Sequence, residues 1–68
     1  MTTNAIQEAV ERRPFHPFSV RLNNGAVYRF DEPRALGATR DYREIIYFAK
    51  PGGYVTMDTE SIAEIIRD

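Results

Sequence analysis

The sequence predicts a mainly β fold: a short N-terminal α-helix followed by a strongly bent, five-stranded antiparallel barrel. Three observations carry this. Apolar and polar residues alternate on both sides of Asn24-Gly25, over 18–23 and 26–31, the period of half-buried strands. A second pair of strand-like runs, 44–49 and 54–58, flanks Lys50-Pro51-Gly52-Gly53, a turn signal. Helical spacing governs the first residues. The 68 residues are read as one domain, with the helix at 4–13 and a small barrel at 18–66. A chain this short buries only about 60% of the surface it exposes when unfolded, so its core is small.

Asn4 is placed to cap the helix, with Gln7 three residues on as in a capping box. Ile6, Ala9, Val10 and Arg13 follow i, i+3, i+4, i+7 spacing and leave a narrow apolar stripe. Pro14 ends the helix, because the residue before proline avoids the helical region. About ten helical residues are marginal alone in water, so the helix must dock. Phe15 and Phe18, locked by Pro14 and Pro17, are the expected clasp between helix and barrel.

Register decides the first hairpin. A two-residue turn at Asn24-Gly25 would set Val20 against Arg29 and bring Arg29 and Asp31 onto the apolar face. A three-residue loop, Asn23-Asn24-Gly25 with Gly25 left-handed, sets Leu22 against Ala26, Val20 against Tyr28 and Phe18 against Phe30. The apolar sets then coincide, so the bulged loop is expected, with Arg21, Val27 and Arg29 outside.

Pro33 interrupts the second strand, which resumes over 35–39 with Gly37 at an expected sharp bend. Arg40-Asp41-Tyr42-Arg43 is a polar turn. Ile45, Ile46, Tyr47 and Phe48 make the next strand apolar on both faces, so its outer face requires cover from the helix or another subunit. Pro51 and Gly52 stand where a type II turn wants them. Val55 and Met57 share one face of the strand that follows, and Thr59-Glu60-Ser61 is a single helical turn. Ile62, Ile65 and Ile66 close the chain as a last strand, although their spacing also fits a C-terminal helix capped by Asp58 or Thr59.

The net charge of −1 conceals an asymmetry. Residues 12–43 carry a charge of +4 and residues 44–68 a charge of −3. Eight of the nine basic residues are arginine, the better fork for phosphate and carboxylate. The absence of cysteine excludes disulfides, thiol nucleophiles and cysteine-based metal sites. A single histidine, His16, cannot build a zinc centre, and no Asp-x-Asp-x-Asp-Gly loop or P-loop is present. No apolar run reaches the roughly 20 residues of a membrane span, and Met1-Thr2-Thr3-Asn4 lacks signal-peptide character. A soluble cytoplasmic protein without metal or cofactor is expected.

Helix, bulged hairpin, bent second strand, second hairpin, short turn and last strand together resemble the Sm-like family, an SH3-like small barrel that includes a bacterial RNA chaperone. Val20-Arg21-Leu22-Asn23-Asn24-Gly25 is similar to the first Sm strand and its turn. The run from Arg40 to Tyr47 is similar to the end of the Sm1 motif, with Asp41 at its aspartate, and 61–66 resembles the strand after Sm2. The resemblance implies oligomerisation through sheet edges and contact with single-stranded RNA. Where Sm2 motifs carry a basic residue, this chain has Asp58-Thr59-Glu60-Ser61, and acids repel phosphate. Arg13-Pro14-Phe15-His16-Pro17-Phe18 also resembles an RPF-x-PF signature at the start of small uncharacterised bacterial proteins.

No nucleophile, base and orienting group form a recognisable set, so a non-enzymatic binding or assembly module is expected. Its partner would be itself or another protein, with Ile46 and Phe48 as interface residues. The alternative partner is single-stranded RNA, held by Arg21, Arg29, Arg40, Tyr42 and Arg43, with Tyr42 exposed for stacking.

Overall fold

In the computed structural model, which describes residues 1–67, the helix α1 spans Thr3–Glu11. Its cap is Thr2 rather than Asn4: the Thr2 hydroxyl accepts from the Ala5 backbone N–H at 3.2 Å. The helix also ends earlier than residue 13, at Glu11, and the Arg13 guanidinium donates to the carbonyls of Val10 and Arg12. Ile6 and Ala9 are buried, and half-buried Val10 packs beside them.

Strands β1 (Phe18–Leu22) and β2 (Val27–Phe30) pair antiparallel with Phe18 opposite Phe30 and Val20 opposite Tyr28. Leu22 N–H donates to the Ala26 carbonyl at 2.8 Å, and Gly25 has φ +92°. The bulged three-residue loop is therefore the one formed. The Asn24 side chain accepts from Ala26 N–H at 2.9 Å and holds it.

The five-stranded barrel is not what forms. Among the described residues there are six strands in two antiparallel sheets, and no barrel closes. Pro33 is the physical reason for the extra strand. It opens a 3₁₀ turn, Pro33–Ala35, in which Leu36 N–H donates to the Pro33 carbonyl. The expected single bent strand is thereby cut into β2 and β3 (Leu36–Ala38), which belong to different sheets. Strands β4 (Glu44–Phe48) and β5 (Tyr54–Asp58) complete one sheet in the order β3-β4-β5. A 3₁₀ turn at Thr59–Ser61 leads to β6 (Ile62–Arg67), and the other sheet runs β2-β1-β6. The turn between β4 and β5 is wider than type II. Ala49 N–H donates to the Gly53 carbonyl, and Gly53 (φ +84°) is the left-handed residue rather than Gly52.

The chain end is a strand, not a helix. Pairing with β1 sets Val20 against Ile65 and Arg21 against Glu64, then shifts so that Leu22 faces Ile62. This bulge gives Ala63 no partner of its own. It also places Ile62 and Ile65 toward the core although they stand three residues apart.

The core lies between the sheets and under the helix: Ile6, Ala9, Phe18, Val20, Phe30, Ile45, Met57 and Ile62. Aromatic rings bridge what backbone pairing leaves open. Tyr47 of β4 packs on Tyr28 (5.4 Å between ring centres) and edge-on to Phe30 (5.7 Å), both on β2. The rings of Phe15 and Phe18, the expected clasp, lie 6.0 Å apart and pack with the core, and Phe18 lies tilted against Phe30 at 5.2 Å.

Candidate interaction surface

The two sheets present different outer faces. On the first, cross-strand rows run Ile66–Ser19–Arg29 and Glu64–Arg21–Val27. Arg21, Arg29 and Glu64 share it with exposed Val27 and Ile66, and Arg21 Nε meets Glu64 Oε1 at 2.6 Å. On the second, the rows are Gly37–Ile46–Thr56, Phe48–Tyr54 and Glu44–Asp58. The first two rows form an apolar patch ending in an acidic pair.

Phe48 and Tyr54 are the centre of that patch. Their rings lie 6.5 Å apart, and 44% of Phe48 and 68% of Tyr54 is exposed. Ile46, on the same face, is half-buried. Gly37 is the residue that lets Phe48 lie flat against the sheet. A Cβ there would stand 3.0 Å from Phe48 Cε2, closer than a side chain ordinarily packs, so the ring would have to shift. Gly37 thus serves close packing of a ring, where a sharp bend was expected. The helix does not cover this face, for Ile6 and Ala9 are committed to the core. The candidate interface residues Ile46 and Phe48 do stand together on one outward face, joined by Tyr54.

Strand β5 borders the patch and ends its sheet. Beside it, Thr56, Met57 and Asp58 line a groove of about 360 Å³, with Asn23, Asn24 and Ser61 on the far wall. A sheet edge carries unpaired backbone donors and acceptors, which an added strand satisfies.

The residues expected to hold RNA are not gathered. Arg21 and Arg29 lie on the first sheet, while Arg40, Tyr42 and Arg43 lie in the loop between β3 and β4. Three of the four arginines face carboxylates: Arg21 faces Glu64, Arg29 Nε meets Asp31 at 2.5 Å, and Arg43 Nε lies 3.7 Å from Asp41.

Tyr42 corrects a sequence expectation. It is half-buried, packed against the core, and its hydroxyl donates to Glu11 Oε2 at 2.5 Å. This bond and a second from Gln7 hold the Glu11 carboxyl below its usual range, and Glu11 in turn raises the Tyr42 hydroxyl. The ring is a strut between helix and loop rather than a free stacking platform. The loop itself is built around Asp41. Its Oδ1 accepts from Arg43 N–H at 3.1 Å and from the Thr39 hydroxyl at 2.9 Å. These bonds, Arg43 N–H first, lower the Asp41 carboxyl. Thr59, buried, donates its hydroxyl to the Tyr42 carbonyl at 2.5 Å and its N–H to the Arg43 carbonyl at 2.8 Å. Sequence reasoning missed Glu11 and Thr59, whose partners lie 31 and 17 residues away.

Among the described residues, no three His, Asp or Glu side chains gather as a metal site. No helix among them is long and apolar enough to cross a membrane. Searches of family models, curated proteins and solved structures give no match to this chain.

Proposed function

We propose that the chain is a non-enzymatic assembly module that associates with further copies of itself through the outward face of β3-β4-β5 and the free β5 edge. One observation carries this reading. Ile46, Phe48 and Tyr54 form a contiguous apolar surface directly beside an edge strand. An exposed aromatic patch favours burial by roughly 25 cal/mol per Å² of apolar area covered, and an open edge adds directional backbone bonds. The resemblance to Sm-like barrels supports the same reading, because such barrels assemble into rings edge to edge. Here β5 and β6 each end a sheet. A β5 edge meeting the β6 edge of the next copy is a heterologous contact, which generates a ring when the rotation between copies closes. RNA binding is the weaker reading, since Tyr42 is tied to Glu11 and Arg21, Arg29 and Arg43 face carboxylates.

Light scattering coupled to size exclusion tests the proposal. The expected mass is a multiple of 7.8 kDa. Tyr54→Lys combined with Phe48→Ser should return the mass to one chain, with the β-rich circular dichroism retained. A wild-type chain that stays monomeric at its highest soluble concentration overturns the reading.

A further inference from the structure

The RPF-x-PF segment builds a second feature, distant in sequence from the β4–β5 face. Where β1 begins and β6 ends, Phe18 is paired with Arg67. The end of α1 lies across this corner, and a cavity of about 90 Å³ opens there, lined by Ala9, Arg12, His16, Pro17, Phe18 and Arg67. That is the room of a few waters. Three of the six lining residues are nitrogen donors, and each comes from a different part of the fold: the helix cap, the segment before β1, and the end of β6. The floor is the apolar side chain of buried Phe18.

The charge arrangement is one-sided. Among the described residues, no carboxylate lines the cavity, and neither Arg12 nor Arg67 has an ion-pair partner. Elsewhere Arg21, Arg29, Arg43 and Lys50 each lie within ion-pair distance of an acid, while Arg13, Arg34 and Arg40 have no ion-pair partner among the described residues and line no cavity with a second basic side chain of this kind. The carbonyls at the helix end do not occupy these donors either. Arg13 takes those of Val10 and Arg12, leaving the Arg12 guanidinium unengaged. Two guanidinium forks and an imidazole over an apolar floor suit a tetrahedral oxyanion, because charge-assisted bonds to phosphate are the strong ones and arginine offers them in pairs.

We propose that Arg12, His16 and Arg67 form a binding site for a phosphate group, either free phosphate or a small phosphate monoester. The site shares no residue with the apolar Ile46–Phe48–Tyr54 face, and Arg67 stands at the last position of β6. Its aim is set by the segment itself: Pro14 and Pro17 restrict the backbone around His16, and Phe15 and Phe18 anchor it to the core.

The test is titration of the isotope-labelled full chain, followed by amide chemical shifts, with inorganic phosphate and with glycerol phosphate against sodium chloride at matched ionic strength. The expected result is saturable shifts at His16, Phe18 and Arg67 with one or both phosphates and none with chloride. Tighter binding of the ester identifies a monoester ligand, and tighter binding of the free ion identifies phosphate itself. Arg67→Ala and Arg12→Ala should each weaken the affinity about tenfold, while Arg40→Ala leaves it unchanged. Arg67→Lys keeps the charge but loses the fork and should fall between. Shifts that do not saturate, that chloride reproduces, or that survive Arg12→Ala with Arg67→Ala overturn the proposal.

Discussion

Tyr42 shows how much one residue can be asked to do in a small domain. Its backbone takes a left-handed turn at φ 59°, a conformation uncommon outside glycine. Its ring packs on the core and its hydroxyl fixes the helix through Glu11. The strain is met by bonds on both sides: Thr59 to the Tyr42 carbonyl, and Tyr42 N–H to the Thr39 carbonyl at 3.0 Å. Glu11 and Asp41 both have carboxyls lowered by bonds made only in the folded chain. Their unfolded forms therefore bind protons more readily. The stability they add is complete above the ordinary carboxylate range and is lost as pH falls through the lowered folded values. Tyr42→Phe should lower the thermal midpoint at neutral pH and shrink its fall on acidification. Thermal melts across the acid range check this, and an unchanged acid slope would remove the Glu11 contribution. Sequence reading placed Tyr42 in the polar turn but not its hydroxyl, whose acceptor is set by how the helix lies.

The elements divide into those whose pattern has one solution and those whose pattern has two. Phe18, Val20 and Leu22 can meet Ala26, Tyr28 and Phe30 on one face only if the loop has three residues. A slip of one residue would bury Arg29 and Asp31, so the register was readable. The C-terminal segment had two solutions, because Ile62, Ile65 and Ile66 suit a helix as well as a strand. The bulge opposite Arg21 and Leu22 settles it by letting Ile62 (1% exposed) and half-buried Ile65 both face inward. Helix α1 is the element most dependent on its neighbours. Nine residues do not hold a helix alone, and Ile6 is fully buried. Ile6→Ala should cost about 2–5 kcal/mol, against a total of roughly 3–10 kcal/mol for a domain of this length. Urea denaturation measures the loss. Hydrogen exchange should show the α1 amides losing protection before those of β1 and β4.

At the scale of the whole molecule, the charge asymmetry takes a different meaning. Residues 12–43 are basic and 44–68 acidic, which in a linear reading suggests a basic face for RNA. Folding lays β6 beside β1, and Arg21 meets Glu64 across 43 residues of sequence. Such half-exposed pairs are worth little, and Arg21→Met or Glu64→Gln should each change stability by less than about 1 kcal/mol. Their larger effect is on the field outside the protein, where opposite charges at contact cancel. Among the charges left unpaired are those of the Arg12–His16–Arg67 corner, and among the apolar side chains left uncovered are Phe48 and Tyr54, beside half-buried Ile46. The second was half readable, since a strand apolar on both faces asks for cover. The first was hidden because its three residues come together only when the chain's two ends meet.

The sequence by itself determined the class of structure: a short docked helix, mainly β strands, the hairpin register and the chemistries that need cysteine. These follow from local periodicity and composition, which neighbours in sequence impose on one another. The tertiary structure decided the rest. It chose two three-stranded sheets over a closed five-stranded barrel, because Pro33 takes the chain out of one sheet before β3 enters the other. It turned Tyr42 inward, joined the basic and acidic halves, and set the arginines at the chain ends around one cavity. Each of these depends on contacts between residues far apart in sequence, and no local pattern encodes which distant partner a side chain will reach.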